Sequence, residues 1–328
     1  YESTTRYQSP HTTYISSNKY NTTALTWDNT VNYNTNFGGS KSDLTALVGH
    51  ELLQSVYEST NIFGDAGTTH YYESSFYDLS KITSPTIRNG YTKKSMLSFF
   101  SRVNYSYDSK YLATLSLRAD GASQLAEGHK WGYFPSAALG WRITEEKFME
   151  NLRDYVNELK LRASYGEVGN QNGIGRYDGI QLYNYKSNSG ALLGNSKGTY
   201  VESAGLVSTM RTWERIYNYN LGIDFGFLNN RLTGTFEVFK KKNDNMLVSR
   251  LHPGVLGGTA PSTNSGKFEA NGYDASLTWR DKIGGFNYHV GGTLTYMTNK
   301  LVDGGNIVVS AGYNEAVNRS EERRVGKE

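Results

Sequence analysis

The residue types that most often perform catalysis or hold metals are present, but their spacing forms no recognisable site. Of the six histidines, no two have the i,i+2 or i,i+4 spacing of a metal-binding pair. The chain has no cysteine, which excludes disulfides, thiolate zinc sites and a cysteine nucleophile. No serine lies in a nucleophile-elbow context. The sequence therefore predicts a protein that is not an enzyme, with no metal site and no cofactor.

Two glycine-containing segments share only part of the pattern of phosphate-binding loops. Segment 169–175 is rich in glycine and asparagine, but Arg176 follows it where a dinucleotide-binding loop needs an apolar helix. Ser265-Gly266-Lys267 lacks the spacing of a phosphate-binding loop. Segment 169–175 is therefore predicted to be a loop on the outer side of the protein.

Aromatic side chains are better candidates for binding, because their faces stack on sugar rings and pack against peptides. The chain has 26 tyrosines, and two aromatic clusters fall in long polar connections. We expect these clusters to contact a substrate or a partner protein, and packing within the loops themselves is the competing interpretation. The candidate residues are Tyr71, Tyr72, Phe76, Tyr77, Tyr183 and Tyr185.

Composition narrows the class of protein that could position such residues. Among 328 residues, 34 Lys and Arg against 31 Asp and Glu give a net charge of +3, which argues against a nucleic-acid binder. No run approaches the ~20 apolar residues of a membrane-spanning helix. The abundant Tyr and Gly favour strands and turns. A membrane β-barrel is compatible with a polar composition, because only every second residue of its strands faces lipid.

Period-2 alternation predicts an all-β fold of about ten strands. In 217–227 every odd position is large and apolar or aromatic, and every even position is Asn, Gly or Asp. The predicted strands are 24–37, 43–53, 96–107, 110–120, 135–143, 158–166, 214–227, 231–246, 267–279 and 286–299.

The connections between these strands alternate between tight turns and long polar segments. This layout is typical of outer-membrane barrels, which have short periplasmic turns and long outer loops. The short connection 144–155 has Phe148, Leu152 and Tyr155 at helical spacing, which predicts a short helical segment at the periplasmic rim capped by Thr144.

Three features favour a transmembrane barrel over a soluble β-sandwich. The predicted strands are mostly longer than the ~5–6 residues of an average soluble strand. Aromatic residues lie near strand ends, as in an interfacial girdle. The polar face carries charges that suit a water-filled lumen. These charged residues are Arg102, Arg118, Lys160, Arg162 and Asp224, and the girdle residues are Tyr107, Tyr111, Trp141, Phe225, Phe227, Trp279 and Phe286.

A series of motifs in fixed order resembles a known family. The motifs include Arg118-Ala119-Asp120-Gly121-Ala122-Ser123, Trp131-Gly132-Tyr133-Phe134-Pro135-Ser136, Gly140-Trp141-Arg142-Ile143, Trp213-Glu214-Arg215 and Asn220-Leu221-Gly222-Ile223-Asp224. Their order and spacing over about 24–300 resemble the barrel of SusC/RagA-type TonB-linked outer-membrane transporters of Bacteroidetes-type bacteria. Ala122, Gln124 and Leu125 depart from the usual family pattern, but they lie in a predicted loop.

The resemblance implies an antiparallel transmembrane β-barrel, of which this chain supplies about ten of the 22 strands usual in the family. It implies import of a bulky nutrient, an oligosaccharide or peptide, with a SusD-like lipoprotein, the TonB complex and outer-membrane lipid as partners. The alternatives are a passive porin or adhesive outer-membrane barrel, and a soluble β-rich carbohydrate-binding module.

The domain interpretation assigns 1–319 to a partial barrel without plug or closing strands. No signal peptide is expected at the start, so the chain is interpreted as an internal piece of a longer protein. The charged segment 320–328 differs in composition from the Gly- and Tyr-rich sequence before it. It is interpreted either as a non-native tail or as a charged loop.

Overall fold

The computed structural model describes residues 14–304, except 40, 66–78, 83, 187–189, 194–195, 204 and 249–260. Ten long strands form one sheet, and each predicted strand is present in it. In sheet order the strands are β1 (Tyr14–Phe37), β2 (Ser42–Asp65), β3 (Thr86–Tyr107), β4 (Tyr111–Ala122), β5 (Trp131–Arg142), β6 (Val156–Asn170), β11 (Glu214–Phe227), β12 (Leu232–Val248), β13 (Thr263–Ile283) and β14 (Phe286–Asp303).

Neighbouring strands pair antiparallel and mostly in chain order, as the alternation of connections predicted. The exception is the step from β6 to β11, which are paired although a long loop separates them. This loop contains four short strands of its own. They are β7 (Tyr183–Lys186), β8 (Leu192–Leu193), β9 (Ser196–Lys197) and β10 (Tyr200–Ser203).

Several strands extend beyond the predicted limits at the end where the long connections lie. β2 runs to Asp65 and β13 begins at Thr263, each several residues outside the predicted range. In these extensions both faces of the strand carry polar or charged residues, so the period-2 signal is lost although the backbone remains paired.

The opposite end of the sheet carries tight turns. Leu228, Asn229 and Asn230 have positive φ values of 56, 58 and 59°, a left-handed region that Asn tolerates better than most residues. Gly38 and Gly39 occupy the same region in the turn between β1 and β2. We call this end the turn rim and the opposite end the loop rim.

The helical segment predicted at the turn rim is present, as two 3₁₀ helices, Ile143–Glu145 and Lys147–Leu152. The prediction that Thr144 caps it is wrong, because Thr144 lies inside the first helix. Glu146 occupies the cap position of the second helix and makes no capping hydrogen bond, since its carboxylate is bonded elsewhere.

The two faces of the sheet differ in chemistry. On one, which we call the apolar face, Leu115, Leu139 and Leu221 are each more than half exposed, and no second layer covers them in the part of the chain that the structure describes. On β14 this face extends from Phe286 to Tyr296, about 33 Å along the strand at ~3.3 Å per residue. A tilt of ~40° reduces the height to about 25 Å, the thickness of a barrel's lipid-facing band.

The chain divides into two compact units. The first consists of Tyr1–Trp27 and Leu52–Met96, and within it Ile15 and Ile82 form a small buried cluster. The second consists of Asp28–Glu51 and Leu97–Glu328, and its buried residues include Leu125, Phe134 and Trp213. Among the described residues, no helix has the length and apolarity needed to cross a membrane.

Candidate functional site

At the loop rim of the second unit, loop residues are hydrogen-bonded to the strand ends. We call this cluster the loop anchor and define it by Gln124, Asp178, Arg211, Trp213, Glu214 and Asn264. Trp213 is only 3% exposed, and its indole Nε1 donates to the carbonyl of Lys130 at 3.0 Å. The Trp213 ring packs edge-on against Phe134, with centroids 5.4 Å apart. The ring therefore fastens the start of β11 to the loop before β5.

Two charged side chains of the loop anchor are also buried, and each has partners. The Glu214 carboxylate accepts from Asn170 Nδ2 and from the backbone N–H of Leu247, both at 2.7 Å. Arg211 donates to the carbonyl of Ser262 at 2.9 Å and pairs with Asp178. A buried charge is tolerated only when it is paired and hydrogen-bonded, and both residues meet that condition.

Asn264, near the start of β13, joins that strand to the end of the loop that precedes β11. Its amide donates to the carbonyl of Thr212 and accepts from the Thr212 N–H, each at 2.9 Å. From the loop after β4, Gln124 donates to the carbonyl of Ile174 at 2.7 Å. Side-chain bonds to backbone groups therefore fix the bases of three loops.

In the loop between β6 and β11, the candidate residues Tyr183 and Tyr185 lie in an exposed two-stranded ladder formed by β7 and β10. Tyr185 is opposite Val201 and Tyr183 is opposite Ser203, so both rings project from the same face of the ladder. Their exposed fractions are 68% and 72%. The structure thus brings these two residues together, and their aromatic faces are available to a ligand.

The opposite face of the ladder is polar. Lys186 Nζ lies 3.5 Å from the Glu202 carboxylate, which also accepts from the Tyr200 hydroxyl at 3.2 Å. Gln181 ties the ladder to its base by donating to Ser203 Oγ at 2.8 Å. The other predicted contact residues, Tyr71, Tyr72, Phe76 and Tyr77, lie outside the described residues.

On the polar face of the sheet, charged residues form two networks. Arg118 Nε donates to Asp120 at 2.7 Å and Arg118 Nη2 to Ser98 at 2.9 Å, with Glu51 3.7 Å away. Arg162 donates to Asp224 at 3.1 Å and pairs with Glu237, and Lys160 lies 4.0 Å from Asp224. Of the five charges that the sequence assigned to this face, four therefore have ionic partners.

The turn rim contains a smaller polar cluster. Glu146 accepts from the Tyr111 hydroxyl at 2.6 Å and from the Trp141 indole at 3.1 Å, and these hydrogen bonds lower the pKa of Glu146. Lys110 lies 2.9 Å from Asp108, which lowers the pKa of Asp108 and raises that of Lys110. Among the described residues, no three His, Asp or Glu side chains cluster as a metal site would require.

Sequence reasoning did not find the loop anchor. Trp213 and Glu214 belong to one of the motifs that carried the family resemblance, but no structural role followed from it. Asn264 likewise belongs to a motif that carried the resemblance, Asn264-Ser265-Gly266-Lys267, but its bonds to Thr212 were not foreseen. Arg211 had no signal, since its partner Ser262 lies about fifty residues away in the sequence.

Long antiparallel strands with one exposed apolar face and one charged face define the wall of a transmembrane β-barrel. The chain belongs to the TonB dependent receptor-like β-barrel family, whose family model matches residues 1–321. This result confirms the family resemblance, and because the family consists of receptors and transporters it confirms the prediction of a non-enzyme.

Two curated relatives illustrate the match. The chain is 32% identical to TonB-dependent receptor P39 of Formosa agariphila, over 76% of this chain and 23% of the relative. It is 33% identical to TonB-dependent receptor SusC of Bacteroides thetaiotaomicron, over 57% of this chain and 18% of the relative. The matched region thus spans about a quarter or less of the length of these relatives.

Solved structures share the fold. The RagAB peptide importer in its open-open state aligns with a TM-score of 0.76 at 22% identity, over 88% of this chain and 31% of the other. The siderophore receptor PiuA of Acinetobacter baumannii aligns with a TM-score of 0.53 at 16% identity, over 91% and 41%. At these identities the comparison concerns the fold alone.

Proposed function

We propose that this chain forms part of the barrel wall of an outer-membrane, TonB-dependent importer of bulky nutrients. In this proposal residues 1–319 are barrel and 320–328 are a non-native tail. The importer works with a SusD-like surface lipoprotein and draws its energy from the TonB complex. Family membership and the relatives named TonB-dependent receptors support this proposal.

One observation carries the membrane part of the proposal. The apolar face leaves large side chains such as Leu139 and Leu221 about 60% exposed along the sheet. The other face holds the ion pairs of Arg118 and Arg162. A soluble protein does not leave so large an apolar surface in water, whereas a lipid bilayer covers it. This argument disfavours a soluble carbohydrate-binding module.

The second candidate function is a passive porin or adhesive barrel. Exposed loops would suit an adhesin, but the similarity to receptors of the TonB class favours energised import. The loop anchor supports a selective function, since bonded loop bases hold the outer loops in defined positions for ligand contact.

Within this importer, Tyr183 and Tyr185 contact the substrate or the lipoprotein. Two exposed rings on one ladder face suit a sugar ring or the side chains of a peptide equally well. The proposed substrate class is therefore an oligosaccharide or a peptide.

Uptake experiments in the source bacterium test two parts of this proposal: that the protein imports a nutrient, and that the import draws on the proton gradient. Deletion of the gene should abolish growth on one oligosaccharide or peptide pool but leave growth on its monomers unchanged. Dissipation of the proton gradient should stop uptake of that pool. A deletion strain that still takes up every pool, or uptake that persists without the gradient, would contradict energised import.

The β7–β10 ladder with Tyr183 and Tyr185 on one face is called the aromatic ladder. Its role is tested by the double variant Tyr183→Ala/Tyr185→Ala. We expect the apparent affinity for the imported substrate to fall by about tenfold, as loss of two aromatic contacts of ~0.5–1.5 kcal/mol each implies. Tyr200→Ala, on the polar face of the same ladder, is the matched control and should retain normal affinity. Equal losses in both variants would indicate damage to the ladder instead of loss of contact.

A further inference from the structure

The apolar face does not end uniformly at the loop rim. On the last three strands, its boundary is a row formed by Val238, Tyr273 and Tyr296, which are neighbours in register. The rings of Tyr273 and Tyr296 stack with centroids 5.4 Å apart. Tyrosines in this position mark the interface between the hydrocarbon layer and the headgroups.

Directly beyond this row, the same face becomes cationic. Lys240 and Lys242 follow Val238 at steps of two residues on β12, and Lys300 is paired in register with Glu269 of β13. Three lysines and one glutamate give this patch a net charge of +2. We call these four residues the basic patch.

Glu269 organises the patch without neutralising it. Its two carboxylate oxygens lie 3.2 Å from Lys240 Nζ and 3.6 Å from Lys242 Nζ, so one acid holds two ammonium groups side by side. The side chains of Lys240 and Lys242 remain 43% and 36% exposed. Further out, Lys267 lies in register between Asp244 and Asp303, and these three residues together add a charge of −1. Two partly exposed ammonium groups at fixed spacing form a suitable cradle for an anion.

We propose that the basic patch binds the phosphate of an outer-leaflet lipid. The inference rests on the proposed function, because it takes the loop rim as the outer side of the membrane. The patch adjoins the aromatic row on the lipid-facing surface, where lysine stems lie along apolar surface and their charged ends reach the headgroups. A basic surface at this level attracts anionic lipid phosphates. The occupant is therefore a membrane lipid that carries phosphate.

The sequence supplies a matched control within the same run of residues. Lys241 lies between Lys240 and Lys242 and therefore points to the polar face, where its Nζ is 5.4 Å from the centroid of the Phe239 ring. Lys241→Gln removes the same charge from the same strand but leaves the basic patch intact. If Lys241→Gln leaves binding unchanged while substitution of Lys240 and Lys242 weakens it, the effect depends on the face that carries the charge and not on the total charge.

The test measures binding of labelled lipid A to the native protein carrying this sequence, purified in a neutral detergent. Lys240→Gln/Lys242→Gln should weaken binding of phosphorylated lipid A by about 25-fold, since each lysine near a membrane surface contributes about fivefold. Lys241→Gln should leave binding within twofold of the parent. Glu269→Gln, which raises the patch charge by one, should strengthen binding and provides a second measurement if the double variant fails to fold.

Two further ligands complete the test. One is lipid A without its phosphate, and the other is inorganic phosphate. The parent should bind the dephosphorylated lipid about tenfold more weakly, and inorganic phosphate at the lipid's concentration should not displace the phosphorylated form. Equal binding of the two lipids, displacement by free phosphate, or an equal loss in Lys241→Gln would each overturn the proposal. Nutrient uptake by the same variants should remain normal, so failure of the lipid site and failure of the importer are separate results.

Discussion

The loop rim and the turn rim of the second unit are the two ends of one sheet, and they are stabilised in different ways. At the loop rim Trp213, Arg211 and Glu214 are each less than 10% exposed, and their polar atoms bond to loops distant in sequence. At the turn rim Phe148 and Tyr155 are about two-thirds exposed, and the turns are held by backbone bonds, some within a turn and some, such as Leu228 N–H to the Tyr155 carbonyl, between neighbouring strand ends. Side-chain burial thus orders the loop rim, and turn conformation with backbone hydrogen bonds orders the turn rim.

This difference follows from loop length. A tight turn needs only the correct φ values, which Asn and Gly supply locally. A long loop must be fixed by contacts that offset its lost conformational entropy. The loop rim should therefore be sensitive to single core substitutions, and the turn rim should respond mainly to changes in charge.

The largest effect should come from Trp213→Ala. It removes a buried indole, its contact with Phe134 and its hydrogen bond to Lys130, so we expect a loss of about 3–5 kcal/mol. Thermal unfolding and protease sensitivity of the native protein would measure it, and cleavage within 171–212 should appear first. Tyr155→Ala at the exposed turn rim is the control and should change stability by less than about 1 kcal/mol. Similar losses of stability in both variants would show that the two rims do not differ in their sensitivity to single substitutions.

Glu214→Ala should have the next largest effect. It leaves Asn170 Nδ2 and the Leu247 N–H without their acceptor, at a cost of about 1–3 kcal/mol for buried donors. Hydrogen exchange at Leu247 should accelerate, and Glu214→Gln, which retains an acceptor oxygen, should recover part of the protection. If Leu247 exchanges at the same rate in Glu214→Ala, the carboxylate does not hold this strand end.

The two rims also differ in how far the sequence predicts them. The strands followed from alternation, because side chains such as Leu221 and Asn220 face different surroundings at every step. The turns followed from local Asn and Gly. Trp213 and Lys130 are separated by 83 positions, and no periodic signal connects residues so far apart. The aromatic ladder falls between these cases, since Tyr183 and Tyr185 were recognised as a cluster but their pairing with β10 was not.

A smaller effect is expected on the polar face of the sheet. Arg162 joins Asp224 and Glu237 across three strands, and Arg162→Gln removes the charge that both carboxylates share. Because the guanidinium is partly exposed to the lumen, we expect a loss of only about 1 kcal/mol, measured by thermal unfolding. Arg102→Gln is the control on the same face. An effect as large as that of Trp213→Ala would show that lumen charges and not the loop anchor dominate stability.

The smallest effect is a pH response confined to the turn rim. The pKa values of Glu146 and Asp108 are lowered by hydrogen bonds from Tyr111 and Lys110, so both groups stabilise the folded rim at neutral pH. This contribution is lost as the pH falls through the lowered pKa values. Lys110 has the opposite sign, because its pKa is raised and its contribution disappears only as the pH rises through that raised value. Hydrogen exchange of 143–155 should therefore accelerate, relative to intrinsic rates, in acid below about pH 4. Glu146→Gln should reduce this response while the loop rim keeps its own profile, whereas an acid response of equal size at Leu247 would show that the two rims are not independent.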